Sequence, residues 1–216
     1  LGLASAPTYD ANSFIGGISQ AEYSALQVDR DTPLFNRALR GQYPPGSAIK
    51  PMLGLVGLHY GAVSWKTEIA DRGYFQLSGD DHKYRDWQKW GHGRVNMDKA
   101  VIESCDTYFY DMAVRLGIDQ MSEGMQHFGF GRRQGRDIQG DLPGILPSRE
   151  WKRSARNQSW YLGETVISGI GQGFWVTTPL QLAAATTAMA RRGNFIEPHF
   201  SVLEDVDAGE IGRAHV

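Results

Sequence analysis

Ser47-Ala48-Ile49-Lys50 sets a hydroxyl and an amine three residues apart. On a helix, positions three apart share one face, so Ser47 Oγ and Lys50 Nζ could meet. A serine hydroxyl becomes a good nucleophile when a nearby base takes its proton. A lysine serves as that base where desolvation or a neighbouring cation favours its neutral form. A helix N-terminus at Ser47 would add N–H donors and a positive dipole end for the oxyanion of acyl transfer. The same tetrad also fits a surface serine and a solvated lysine at a helix start. Roughly one such tetrad is expected by chance in a chain of this length. Ser104-Cys105-Asp106 is a second candidate, at the junction of two expected helices. A tight turn there would present the Ser104 hydroxyl and the Asp106 carboxylate to a cleft. Ser104 could relay a proton between the lysine and a leaving group. Asp106 could hold a substrate amide, cap the helix from Thr107, or do both.

Cys105 is the chain's single cysteine, so no internal disulfide exists. Upstream of it lie Asp71, Asp86 and His92. Cysteine, histidine and carboxylates are zinc ligands, and four of them complete a tetrahedral structural site. Such a site would tie the 66–95 stretch to the turn that carries Ser104. The spacing forms no compact ligand motif, and a buried free cysteine with solvated Asp and His fits it too. Asp80-Asp81-His82 reads as a solvated turn, because three adjacent residues do not readily face one ion.

The elements that must position these groups follow from the punctuation. Pro44-Pro45-Gly46 breaks the chain before a helix expected from Ser47 to about Tyr60. Pro51 fits only if that helix has just begun, since its missing N–H is harmless in a first turn. Residues 1–5 read as the tail of a strand, and residues 66–95 as a long irregular excursion. Asp98 is expected to cap a helix to about Glu103. Two more helices are expected over Thr107–Arg115 and Asp119–Phe128, followed by surface loop over 129–160. Thr178, Pro179 and Gln181 form a capping-box start for an Ala-rich helix that Gly193 stops. The fold class this predicts is α/β of the α+β type.

The bulk composition is that of an ordinary globular domain, with 41% hydrophobic and 21% charged residues. A formal net charge of −2 points to no nucleic-acid partner. No stretch approaches the length of an apolar membrane span. The first residues lack a basic start and an apolar core, so any targeting segment is expected outside this chain.

Longer stretches carry a family resemblance. They are Pro7-Thr8-Tyr9-Asp10, N-R-A-L-R-G-Q-Y-P-P-G-S-A-I-K-P from Asn36 to Pro51, E-S-C-D-T-Y-F-Y from Glu103 to Tyr110, and I-G-Q-G-F-W-V-T-T-P-L-Q-L-A from Ile170 to Ala183. With these the chain resembles the class B penicillin-binding proteins, up to about residue 203. The resemblance implies a serine β-lactamase-like transpeptidase fold, with helices on an antiparallel sheet. It implies that Ser47 is the acylated serine, Lys50 its base, and Ser104 with Asp106 the second motif. Most relatives carry Asn where this chain has Asp106, and Asp there resembles the elongation-specific subfamily. Some members of that subfamily resemble this chain at Asp71, Asp86, His92 and Cys105, which implies one structural zinc ion. The implied activity is peptidoglycan D,D-transpeptidation through an acyl-serine, in cell elongation and shape. The implied partners are peptidoglycan stem peptides, β-lactam antibiotics and a glycan polymerase, with the enzyme in the inner membrane facing the periplasm. The rivals are a β-lactamase or D,D-carboxypeptidase, and an inactive penicillin-binding fragment.

The family's third motif, K-[ST]-G on a cleft strand, has no match here. No lysine of the chain is followed by Ser-Gly or Thr-Gly. The C-terminal strands are therefore expected to be missing, as are the membrane anchor and pedestal domain. Glu210-Ile211-Gly212-Arg213-Ala214-His215-Val216 reads as a translated sequencing-library adapter. The expected organisation is a partial transpeptidase domain over 1–209 and a non-native tail over 210–216. Without the sheet, the helices should expose an apolar face, and the isolated chain is expected to be unstable or to aggregate.

Overall fold

The computed structural model describes residues 2–201. The expectation for residues 210–216 lies outside them. Among the described residues, α1 (Gln20–Val28) and α2 (Arg37–Arg40) precede a 3₁₀ turn, Gly46–Ile49, that runs into α3 (Lys50–His59). Strands β1 (Ile69–Asp71), β2 (Tyr74–Gln76), β3 (Lys83–Arg85) and β4 (Gly93–Val95) follow. The remaining helices are α4 (Met97–Ile102), α5 (Asp106–Gln126), α6 (Arg149–Arg156), α7 (Leu162–Ser168) and α8 (Pro179–Ala190).

The core forms where α5 packs against α3 and α7. Met52, Leu53 and Val56 of α3 and Tyr108, Phe109, Met112 and Ala113 of α5 are buried, at helical spacing on facing sides. Small residues let the two helices approach. A Cβ on Gly124 would lie 2.4 Å from Val56 Cγ1, and one on Gly57 would lie 2.4 Å from Met112 Sδ. Pro51 falls in the first turn of α3, as its missing N–H requires.

The 66–95 excursion is more ordered than its composition suggests. Its strands nest: β2 pairs antiparallel with β3, and β1 antiparallel with β4. The result is one arm in two short ladders with a break between them. Each strand has only three residues, too few for an alternating pattern to stand out in the sequence.

Several boundaries differ from the sequence reading. The two helices expected over 107–128 are present as two segments of α5, parted by a non-helical kink at Gly117 with φ 76° and ψ 158°. Asn96, rather than Asp98, caps α4, its side chain accepting the Lys99 N–H; Asp98 sits in the first turn, where its charge suits the dipole. The expected loop over 129–160 contains α6, capped by Ser148, and α7 follows it. Among the described residues, 2–5 form no strand. The capping box at Thr178 and Gln181 forms as expected and starts α8.

On the far side of α3, Pro51, Leu55, Leu58, Trp65, Val101 and Ile102 border an open apolar groove of about 510 Å³. Leu55, Trp65 and Ile102 are 44%, 58% and 82% exposed, a greasy face that a soluble surface ordinarily avoids.

The tight α3–α5 crossing yields a prediction. Gly124→Ala should lower stability by about 1–3 kcal/mol through overpacking on Val56. Val56→Ala in the same chain should recover part of that loss, read from chemical denaturation midpoints. Additive destabilisation by the two changes would contradict the contact.

Candidate active site

Ser47 lies in the 3₁₀ turn that leads into α3, and it is exposed. The residue before it is fixed from the other side of the cleft floor. The Gly46 N–H donates to the Gly171 carbonyl at 2.9 Å. Both glycines have positive φ, 57° and 69°, and a Cβ on Gly171 would sit 2.4 Å from the Gly46 oxygen. Only glycine at 171 permits that approach. Tyr43 and Thr177 exchange two backbone hydrogen bonds just upstream. The segment before Ser47 is thus clamped at two points by residues 171–177.

Lys50 is 2% exposed. Its Nζ donates to the Ser104 carbonyl at 2.7 Å, to Ser104 Oγ at 3.1 Å and to Asp106 Oδ1 at 2.5 Å. The Phe109 ring lies beneath it, 5.4 Å from the centroid. An ammonium has three donors, and here each has an acceptor. By the three-residue spacing, Lys50 could meet Ser47. Instead its hydrogen bonds among the described residues all go to the Ser104–Asp106 turn, and Ser47 Oγ makes none.

The turn itself is bent to fit. Ser104 takes φ 53°, a left-handed conformation that costs a non-glycine residue about 1–2 kcal/mol. It ends α4 with the Cys105 N–H returning to the Ala100 carbonyl at 3.0 Å. In this shape both the carbonyl and the hydroxyl of Ser104 face Lys50. Strain held in place by surrounding contacts is characteristic of functional turns.

Asp106 does not cap the following helix, contrary to one sequence expectation. Its Oδ1 goes to Lys50 and its Oδ2 accepts the Trp87 N–H at 3.3 Å. The cap comes from the arm: Asp86 Oδ2 accepts the Thr107 N–H at 2.8 Å, so a residue far upstream satisfies the start of α5.

Asp71, Asp86, His92 and Cys105 come together, as the sequence reading proposed for a metal centre. Their donor atoms all lie within 4.8 Å of one another. Ligands of a tetrahedral zinc ion at about 2.0–2.3 Å stand roughly 3.3–3.8 Å apart. Asp71 at the end of β1, Asp86 just after β3 and His92 just before β4 meet at the break between the two ladders of the arm, and Cys105 lies in the turn beside Ser104. Cys105 Sγ is 3.4 Å from Asp86 and 3.6 Å from Asp71. His92 Nδ1 is 2.8 Å from Asp71 and 3.6 Å from Asp86.

The two carboxylates are oriented by further partners. Asp71 accepts N–H bonds from Gly73 and His92, and Asp86 accepts them from Gln88 and Thr107. His92 Nε2 is buried without a hydrogen bond and faces Glu103 Oε2 at 3.9 Å. Burial pushes the Asp71 carboxyl up, but the hydrogen-bonding groups around it, Thr107 first and then Gly73 and His92, outweigh that and hold it below the usual carboxylate range. Burial first, then the charges of Asp86 and Asp71, push the Cys105 thiol well above its ordinary range. Two buried carboxylates around a buried thiol leave negative charge uncompensated, and a divalent cation reverses that balance. The donor set therefore fits zinc.

The sequence reading passed over Phe109, Trp87 and Glu103. Phe109 was open to discovery, since it follows Asp106 by one helical turn. Trp87, whose Nε1–H donates to the Glu103 carbonyl at 3.1 Å, depends on the fold of the arm and left no trace in spacing. Asp80 and His82 remain an exposed turn, with the His82 N–H on Asp80 Oδ1, as read.

Residues 1–213 match the penicillin binding protein transpeptidase domain family. Peptidoglycan D,D-transpeptidase MrdA of Acinetobacter baumannii is 52% identical over 199 residues, covering 92% of this chain and 30% of that relative. The Escherichia coli K12 protein of the same name is 44% identical over 207 residues, covering 95% and 33%. The chain thus spans about a third of the length of the curated relatives it matches. The crystal structure of Pseudomonas aeruginosa PBP2 in complex with WCK 5153 aligns with a TM-score of 0.88 at 49% identity, over 91% of this chain and 44% of that one. Helicobacter pylori PBP2 in complex with MreC aligns with a TM-score of 0.87 at 38% identity, over 94% and 38%. With the Ser47 and Ser104 elements joined through Lys50 and the match running along nearly its whole length, the chain belongs to the penicillin-binding protein transpeptidase domain family.

Proposed function

We propose that this chain carries the nucleophile half of a peptidoglycan D,D-transpeptidase of the elongation-specific, penicillin-binding protein 2 type. The observation that carries the reading is the Lys50 ammonium. One buried amine joins the first turn after Ser47 to both functional atoms of Ser104 and to Asp106.

Ser47 Oγ attacks the carbonyl carbon of the penultimate D-Ala of a stem peptide. Its proton passes to Lys50 in the neutral form of that amine. Ser104 Oγ, in contact with Lys50, carries a proton to the departing D-Ala amine. The acyl-serine then passes to an amine of a neighbouring stem peptide. Asp106, held between Lys50 and the Trp87 N–H, fixes the position of the base. β-Lactams acylate the same serine and leave slowly.

Peptidoglycan lies outside the inner membrane, so the protein is proposed to work in the periplasm from a membrane anchor. Among the described residues no helix is long and apolar enough to cross a membrane. A glycan polymerase is the proposed partner. A relative 33% identical belongs to a peptidoglycan synthase complex described as coordinating polymerization and crosslinking, which supports that pairing.

Asp71, Asp86, His92 and Cys105 are proposed to hold one structural zinc ion. When bound, it supplies charge compensation rather than chemistry on the substrate. The residues around it brace the arm against the turn, and so keep Ser104 in its left-handed conformation.

Three outcomes are expected. Protein expressed from the complete gene should take up a fluorescent penicillin on Ser47, located by peptide mass, with an adduct that outlives the labelling reaction; Ser47→Ala should take up none. Rapid release of hydrolysed penicillin would instead assign a β-lactamase or carboxypeptidase. Ser104→Gly removes the hydroxyl and relieves the strain together. It should change stability by no more than about 1 kcal/mol, while slowing acylation by about 100-fold. Undepleted protein should contain zinc in a one-to-one ratio by elemental analysis. Cys105→Ala should lose it and lower stability by on the order of 3 kcal/mol. Zinc-free wild-type protein with a freely titratable Cys105 would refute the metal centre.

A further inference from the structure

A second buried lysine lies outside the site described above. Lys152 of α6 is 1% exposed, and its Nζ pairs with Glu164 Oε1. Three rings surround the ammonium: Tyr161, Phe174 and Trp160, with centroids 4.5, 5.6 and 6.0 Å away. Glu164 also accepts the Tyr161 N–H at 2.8 Å through its other oxygen, which closes the first turn of α7. The Trp160 indole N–H donates to Thr165 Oγ1 at 2.8 Å. The rings of Trp151 and Trp160 both pack on Phe174.

Phe174 gives this cluster its reach. It sits in the middle of the 171–177 segment, whose two ends are the clamps on the chain before Ser47. At one end Gly171 receives the Gly46 N–H, and at the other Thr177 pairs with Tyr43. α7 leads directly into the same segment, with the Gly171 N–H on the Ser168 carbonyl at 3.0 Å. The Lys152–Glu164 pair therefore holds both the helix that enters the clamp and the ring at its centre. Stability alone gives weak reason for a charge here, since apolar residues of similar volume often replace a buried ion pair without loss. A buried pair with fixed partners does impose one geometry.

We propose that Lys152 is a positioning residue for Ser47, acting through Glu164, Phe174 and the Gly171–Gly46 contact. The proposal rests on the acyl-serine reading above. It requires that loss of the pair shift the nucleophile while leaving the surface that first receives the ligand unchanged.

The test uses protein from the complete gene and a fluorescent penicillin. Time courses over a range of concentrations separate the dissociation constant of the initial complex from the acylation rate constant. Measurements are made well below each variant's melting temperature. Lys152→Met should lower the acylation rate constant by about 10- to 100-fold, as a nucleophile displaced by around 1 Å would. The initial dissociation constant should move by no more than about twofold. Lys152→Arg, which keeps the charge, should restore most of the rate. If Lys152→Met does not fold, Glu164→Gln, which keeps the shape but removes the carboxylate charge, carries the same expectation. A folded Lys152→Met or Glu164→Gln protein that acylates at the wild-type rate overturns the proposal. So does a loss in which binding and rate fall together with the folded fraction. Wild-type protein that forms no Ser47 adduct at all would overturn the acyl-serine reading itself, which the variants alone cannot do.

Discussion

The candidate site depends on one ammonium withdrawn from water. Lys50 lies at the start of a helix whose middle turns are buried in the core, and its three donors are spread over a turn more than fifty residues away. Removing any one acceptor would leave a buried donor or charge unpaired, at a cost of about 3–5 kcal/mol for the ionic partner. That asymmetry keeps the two chain segments in register. The left-handed backbone of Ser104 belongs to the same contact, since in that conformation its carbonyl and its hydroxyl both face the amine. The local strain of the turn and the burial of the lysine are two sides of one contact.

The arm over residues 66–95 supports this contact from behind. It is too short in its strands to be stable alone, and two-stranded ladders of this size are marginal in water. Its stability comes from the junction it covers. Asp86 caps α5, the Trp87 indole N–H reaches the α4 C-terminus, and Lys99 donates back to the His92 carbonyl at 2.6 Å. The four donors of the proposed metal centre stand at the meeting of arm and junction, so a bound ion would join what the hydrogen bonds already align. From the opposite side, the 171–177 segment fixes the approach to Ser47. The nucleophile and its base are thus held by different parts of the chain, each with its own buried charge.

Much of this was legible in the sequence where short-range rules apply. The Ser47–Lys50 spacing, Pro51 in a first turn, and the Thr178–Gln181 capping box each state their geometry within four residues. The metal donors were legible as residue types but not as a cluster, because Asp71, Asp86 and His92 meet only after two three-residue ladders have folded. The acceptors that the Lys50 amine takes were hidden for a related reason. Helical spacing showed which side chains share a face, but a long lysine follows its acceptors, and those came from another segment. Lys152 left no distinctive pattern, since its partners Glu164 and Phe174 are separated from it by loop. The long-range family resemblance supplied what spacing lacked, by naming the elements that must meet.

The most direct test of the central contact is a double-mutant cycle on stability, with Lys50→Met, Asp106→Asn and the pair measured by chemical denaturation. If Lys50 is the buried link between the two elements, each single change should be destabilising. The double variant should then lose less than their sum, by a coupling energy of about 1–3 kcal/mol. Losses that add to within about 0.5 kcal/mol would mean that the two residues act independently. The buried ammonium would then not be what holds the site together.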